Sequence, residues 1–275
     1  MAPDPTTLEM LLDDLEAEHA DLERLLVALD EPSWGLLTPA DGWAVRDQIG
    51  HLAFFDDAAT LAMVDPAAFI VMAEAALAIE GDPMEEHLLR GRGMTGRDVL
   101  AWWRDARGQM LRAAGALDAH DRVPWFGPPM GALSFVSARL METWAHGQDV
   151  ADALGVIRVP TARLRHIAHL GVRARPFSYV VRGLEVPADA VSVGLGGPAG
   201  ERWEWDGGSP AQRGEGSALD FCLVVTQRRH LSDTTLTVHG SLAKEWLAIA
   251  QAFAGPPGDG RPPLSSGARS VATTD

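Results

Sequence analysis

Glu142 and His146 stand four residues apart in the segment Arg139-Leu140-Met141-Glu142-Thr143-Trp144-Ala145-His146-Gly147-Gln148-Asp149. On an α-helix that spacing puts a carboxylate and an imidazole on one face, about one turn (~5.4 Å) apart. With His51 from an earlier segment, they form a set of two imidazoles and one carboxylate, which suits Zn²⁺ and also accommodates Ni²⁺, Mn²⁺ or Fe²⁺. Three protein ligands leave a coordination position for water, a thiol or a substrate oxygen, as in catalytic rather than structural zinc sites. The same spacing also serves an ordinary helix-surface hydrogen bond, and a lone His51 is more often a hydrogen-bonded core histidine.

The segments that must hold these residues read as long helices. Leu8, Leu11, Leu12, Leu15, Leu22, Leu25, Leu26 and Leu29 recur at three- and four-residue steps, which predicts an amphipathic helix from about Thr7 to Leu29, with His19 on its leucine stripe. Pro32, Pro39 and Gly42 mark a loop before a second helix, Trp43 to about Met63, that carries His51. Asp65-Pro66 opens a short extra helix, and Thr95 caps a third long one ending near Leu117. Val123 to Gly131, rich in proline and glycine, is a fixed loop leading into a fourth helix, Ala132 to Leu154. That helix is apolar on most sides, so its stripe of Arg139, Glu142, His146 and Asp149 needs partners or a metal. Four long helices suggest a bundle, whose interior is a common place for a metal.

After Gly155 the pattern changes. Thr161 to Val172, Ala218 to Gln227 and Leu242 to Phe253 read as helices, while Ala190 to Leu195, Arg202 to Trp205 and Thr234 to His239 alternate as short strands. The expected architecture is α+β, a four-helix bundle over 1–157 followed by a small α+β domain over 158–254. From Gly255 to Asp275 no apolar period survives, and a disordered tail is expected.

The chain has 275 residues, is 47% apolar and carries a net charge of −15. That charge sets long-range repulsion against nucleic acid or an anionic membrane as the main partner. A single cysteine, Cys222 in an apolar run, makes no internal disulfide and reads as core. The acidic N-terminus is unlike a signal peptide and no apolar run reaches the ~18 residues of a membrane span, so a cytoplasmic location is expected. Between Asp152 and Glu185 there is no acid, yet Arg158, Arg163, Arg165, Arg173, Arg175 and Arg182 occur with His166 and His169. Such a segment can hold an anionic substrate or the polar arms of a thiol cofactor; pairing with acids elsewhere in the chain is the plainer alternative.

The segments Trp43-x-Val45-Arg46-Asp47-x-x-x-His51-Leu52 and Arg139-x-x-Glu142-x-x-x-His146-x-x-Asp149 resemble the DinB-like metal-binding superfamily. Within it they resemble the group containing mycothiol-dependent maleylpyruvate isomerase, in which such a bundle precedes a small α+β domain. The resemblance covers the chain except its tail. It implies His51, Glu142 and His146 as ligands of a divalent metal, usually zinc. It also implies an arginine of the second domain at the active site, for which Arg228 and Arg229 are the candidates, although both also suit the end of a helix. Asp47 and Asp149 are candidates to orient the ligating histidines. His19 is a candidate for the metal cavity, and a hydrogen-bonded core histidine is the alternative.

The resulting expectation is a metal-dependent enzyme of isomerase or S-transferase type that activates mycothiol against a small anionic acceptor. A hydrolase using metal-bound water and a non-catalytic metal-binding protein are the alternatives, and the sequence leaves a homodimer open.

Overall fold

Leucines on one stripe and Thr7 at its start define helix α1 (Leu8–Leu26), in which the Thr7 hydroxyl accepts from the Met10 N–H at 3.2 Å. Leu11, Leu15, Leu22 and Leu26 are fully buried. In this computed structural model, which describes residues 7–78, 85–207 and 210–264, the chain divides into two units, Met1–Arg158 and Val159–Asp275.

The first unit continues with α2 (Val45–Val64), α3 (Pro66–Leu77), α4 (Glu85–Arg92) and α5 (Gly96–Ala114). Asp65 caps α3 by accepting from Ala68 at 3.1 Å, and Thr95 caps α5 by accepting from Asp98 at 3.2 Å. The strands β1 (Arg122–Val123) and β2 (Met130–Gly131) pair antiparallel and close the loop expected between Val123 and Gly131. They deliver the chain into α6 (Ala132–Ala153), which is buried along most of its length. Helix α2 packs on α4, α5 and α6, and α1 packs on α6. The core between them holds Leu22, Leu26, Trp34, Ile49, Leu52, Trp103 and Val150.

The second unit is α+β, as is the chain as a whole. Helices α7 (Leu164–Arg173) and α8 (Arg175–Val180) precede the strands β3 (Ser192–Gly196), β4 (Arg202–Trp205) and β5 (Arg213–Ser217). Helix α9 (Ala218–Val225), strand β6 (Thr237–His239) and α10 (Ser241–Ile249) complete it. The sheet order is β4-β3-β5-β6; β3 is antiparallel to β4 and parallel to β5, and β5 is antiparallel to β6. Strand β5 is absent from the sequence expectation because Arg-Gly-Glu-Gly-Ser has no apolar alternation. The expected disordered tail is corrected over 255–264: Arg182 donates to the Gly258 carbonyl at 2.8 Å, and the Leu264 N–H donates to Asp233 at 2.9 Å. The rest of that stretch lies outside the described residues. Among the described residues no helix is long and apolar enough to cross a membrane.

The turn before α2 is docked on the start of α5. Glu31 accepts from the Gly96 N–H at 2.8 Å, and a Cβ at Gly96 would stand 2.2 Å from ring atoms of Trp34, itself buried. Gly96→Ala therefore sets a helix-propensity gain of at most ~1 kcal/mol against an overpacking cost of about 1–3 kcal/mol. A net loss of stability, read as a lower urea midpoint at unchanged slope, is the expected outcome.

Candidate metal centre

Val45 to Val64 and Ala132 to Ala153 are helical because few residues in either run break a helix, and packing of the two against each other sets the site. His51 on α2 and Glu142 and His146 on α6 each offer a ligand atom, and these atoms lie within 4.8 Å of one another. The two imidazole rings are 4.5 Å apart between centroids. Both histidines are buried and Glu142 is half-buried.

The hydrogen bonds around His146 fix which of its nitrogens can bind a cation. The Thr38 hydroxyl donates to the Trp43 carbonyl at 2.8 Å, so its oxygen accepts from Gln48 Nε2 at 2.8 Å. That fixes the Gln48 amide, leaving its Oε1 to accept from His146 Nδ1. The proton of a neutral His146 is therefore on Nδ1, and the Nε2 lone pair faces Glu142 Oε2 at 3.2 Å. A lone pair and a carboxylate oxygen at that distance repel unless a proton or a metal ion lies between them. The donor set, the fixed tautomer and the nearby His51 together fit a divalent metal.

Aromatic rings surround the two histidines. Trp43 stacks on His146 at 6.0 Å and an interplanar angle of 17°, and lies 5.2 Å from His51. Phe55 lies 4.6 Å from His51 and leads to Phe126 at 5.7 Å and Trp125 at 6.1 Å.

Of the residues singled out to orient the histidines, Asp47 has partners elsewhere in the fold. Asp47 accepts from the Ala44 N–H at 2.9 Å at the start of α2 and pairs with Arg92 at 2.9 Å. It is a cap and an ion-pair partner. The group that holds His146 is Gln48, which the sequence reading did not pick out; its signal is its place three residues before His51, on the same face of α2. Asp149 is buried within α6.

His19 is outside the ligand cluster. It packs edge-on to Trp103 at 5.7 Å, and neither ring nitrogen has a hydrogen-bond partner among the described residues. Burial, then the fields of Arg107 and Arg139, lowers its pKa to about 3. Arg139 reaches Asp56 of α2 at 3.2 Å in a buried ion pair. Burial nevertheless raises the Asp56 pKa to about 6, against the pull of Arg139 and the Trp103 indole.

In the arginine-rich segment, Arg158 pairs with Glu18 and donates to the Trp144 carbonyl at 3.0 Å. Arg175 donates to the Asp189 carbonyl at 2.8 Å and Arg182 to the Ser178 carbonyl at 3.1 Å. These three arginines hold the fold. Arg165 and Arg173 lie on α7 with His169, whose pKa is lowered by burial and then by Arg173, His166 and Arg165. Trp205 Nε1 donates to His169 Nδ1 at 3.1 Å. In the second unit, Arg228 donates to the Thr226 carbonyl and Arg229 to the Arg228 carbonyl, each at 2.7 Å, just past α9. Cys222 is buried, which raises its thiol pKa, and its Sγ donates to the Leu164 carbonyl.

A helical bundle with a His/Glu/His set on two facing helices, followed by an α+β unit, defines the class. The family model for the mycothiol maleylpyruvate isomerase N-terminal domain matches residues 15–151, a span that contains all three ligand candidates. An uncharacterized protein of Mycobacterium tuberculosis strain H37Rv is 47% identical over 248 residues, covering 90% of this chain and 96% of that protein. An uncharacterized protein of strain CDC 1551 / Oshkosh matches to the same extent. A crystal structure of the mycothiol-dependent maleylpyruvate isomerase is similar with a TM-score of 0.56 at 16% identity, over 81% of this chain and 90% of that one. A histidine-to-alanine mutant of that isomerase gives a TM-score of 0.58 at 16% identity, over 86% and 95%. This chain belongs to the mycothiol maleylpyruvate isomerase N-terminal domain family, and its likeness to the two crystal structures is one of fold.

His19 and Asp56 titrate with opposite consequences. Between pH 6.5 and about 3 the unfolded chain holds a proton on His19 that the folded chain lacks, so this group costs stability as pH falls. Between about 6 and 3.8 the folded chain holds a proton on Asp56 that the unfolded chain lacks, so this group adds stability as pH falls. The two slopes largely cancel. In His19→Leu the Asp56 slope is unopposed, at about 1.4 kcal/mol per pH unit. Denaturant unfolding at pH 6 and pH 4 is expected to show the variant gaining roughly 2 kcal/mol on the parent toward acid; equal slopes would mean that folded His19 takes up a proton.

Proposed function

We propose that this chain is a divalent-metal enzyme that uses mycothiol as its thiol cosubstrate in an isomerase or S-transferase reaction. The observation that carries the reading is the fixed tautomer of His146, whose Nε2 lone pair is aimed at Glu142 beside His51. Family membership supports the thiol, since the matching model describes a mycothiol maleylpyruvate isomerase domain. A divalent ion on these three residues supplies a charge that lowers the pKa of a thiol and favours thiolate near neutrality.

The chain's own residues bind, orient and exclude water. Glu142 is the carboxylate member of the proposed ligand set, and His51 and His146 are its imidazole donors. Gln48 keeps the proton on His146 Nδ1, and Trp43 and Phe55 keep bulk water from the histidine faces. Zinc is the metal proposed from the donor set. In the second unit Arg228 and Arg229 are the proposed contacts for the polar arms of the thiol, since a guanidinium recognises polar and anionic groups through a planar fork of N–H donors. A reducing cytoplasm is the compartment in which such a thiol is available.

Elemental analysis beside calorimetric titration with mycothiol tests this reading. We expect near one metal per chain, lost in His51→Ala and His146→Ala, and thiol binding only to loaded protein. Bound metal without thiol binding would favour a hydrolase or a non-catalytic protein, and absence of metal after reconstitution would sink the proposal. Gln48→Leu removes the acceptor on His146 Nδ1 and is expected to weaken metal binding by roughly 10–100-fold in a chelator competition. Arg228→Ala and Arg229→Ala are expected to leave the metal content unchanged, and at least one of them to weaken mycothiol binding.

A further inference from the structure

Helix α7 carries Arg165, His169 and Arg173 at four-residue steps, so the three share one face, each about a turn (~6 Å) from the next. The opposite side, through Leu164, Ile167, Ala168 and Gly171, is buried. Gly171 fits so closely on α9 that a Cβ there would stand 2.7 Å from the Val225 side chain, which leaves α7 little room to shift. Arg165 is half-buried, and His169 and Arg173 are exposed. Donors on a helix fixed in advance lose little freedom when a ligand engages them.

Acids outnumber basic residues in this chain, 38 Asp and Glu against 23 Lys and Arg, so a cation without a partner does not reflect a shortage of acids. Arg158 pairs with Glu18, whereas Arg165 and Arg173 have no hydrogen-bond or ion-pair partner among the described residues. No acid stands in the first turn of α7, where Arg165 meets the positive end of the helix dipole. The Trp205 indole donates to His169 Nδ1 at 3.1 Å, so a neutral His169 carries its proton on Nε2 and offers an N–H donor on the same face. Burial, then Arg173, His166 and Arg165, lower the pKa of this imidazole, and no carboxylate is among the groups that act on it. The face thus presents two guanidiniums and a ring N–H with no acceptor to complement them.

We infer that this face of α7 is a binding site for a small dianion, a dicarboxylate or a phosphate monoester, held by the guanidiniums of Arg165 and Arg173 and by the Nε2–H of His169. A guanidinium presents a planar fork of N–H donors that matches the two oxygens of a carboxylate or phosphate. Two such forks on either side of a neutral donor suit a ligand that carries two negative charges. Trp205, half-buried and 6.4 Å from the His169 ring at an interplanar angle of 40°, gives the site an apolar wall for the rest of the ligand. All four residues belong to the second unit, and the site requires neither the metal nor the thiol proposed above.

Calorimetric titration of the full-length protein with succinate and, separately, with inorganic phosphate tests the site. Saturable binding of at least one anion is expected, weakened about tenfold in Arg165→Gln and in Arg173→Gln, each of which removes charge-assisted hydrogen bonds. Arg202→Gln removes an exposed arginine of the same unit that is paired with Glu204 and Glu215, and it is expected to leave binding unchanged. Thermal melting checks that the variants are folded. Binding of succinate alone assigns the site to carboxylates and binding of phosphate alone to phosphate monoesters, and either supports the inference. Absence of saturable binding, or weakening to the same degree in all three folded variants, as a diffuse positive field would produce, overturns it. So does binding that disappears in His51→Ala and survives in both Arg165→Gln and Arg173→Gln, which would put the anion at the metal centre instead.

Discussion

One run of hydrogen bonds sets the chemistry of the site: the Trp43 carbonyl, the Thr38 hydroxyl, the Gln48 amide and the His146 ring, each with its donor and acceptor sense determined by the one before. An imidazole free to exchange tautomers would present a lone pair or a proton to Glu142 with comparable ease. Here the lone pair is committed. The residue that commits it, Gln48, stands on α2 one turn from His51, so α2 supplies both a candidate ligand and the support for a candidate ligand on α6.

The same two helices are joined again by the Arg139–Asp56 pair. A buried ion pair is weak evidence for stability, since desolvation of both charges consumes much of their attraction. The raised pKa of Asp56 expresses that cost directly. What the pair contributes is alignment: sliding α2 along α6 by a turn would strand both charges in an apolar interior. His19, neutral and without hydrogen-bond partners among the described residues, tolerates the neighbouring guanidiniums because it carries no charge of its own.

The bundle was readable because its signals are local. Leucines at three- and four-residue steps mark α1, threonines mark the starts of α1 and α5, and Glu142 and His146 fall on one face by spacing alone. The ends of the four long helices differ from expectation by no more than three residues, as fraying ends do. Strand β5 was unreadable because its place in the sheet comes from its neighbours β3 and β6 and not from its own alternation. The roles of Gln48 and Asp47 were hidden for a similar reason. A glutamine three residues before a histidine has many uses, and only the fold brings Thr38 and His146 to its two ends. Phe55 of α2 likewise meets Trp125 and Phe126 of the β1–β2 loop only after folding.

The run of hydrogen bonds ends in a stretch outside any helix. Thr38 and Trp43 flank a short excursion whose ends meet at an isolated bridge between Leu37 and Ala44, and Thr38 binds Trp43 through both its N–H and its hydroxyl. The same excursion supplies the indole that stacks on His146. A handful of loop positions thus have leverage over the buried imidazole of His146. A change in the length or shape of this excursion would alter the basicity and orientation of the His146 ring while leaving His51, Glu142 and His146 in place, a route by which one scaffold diversifies its reactivity through drift in a loop.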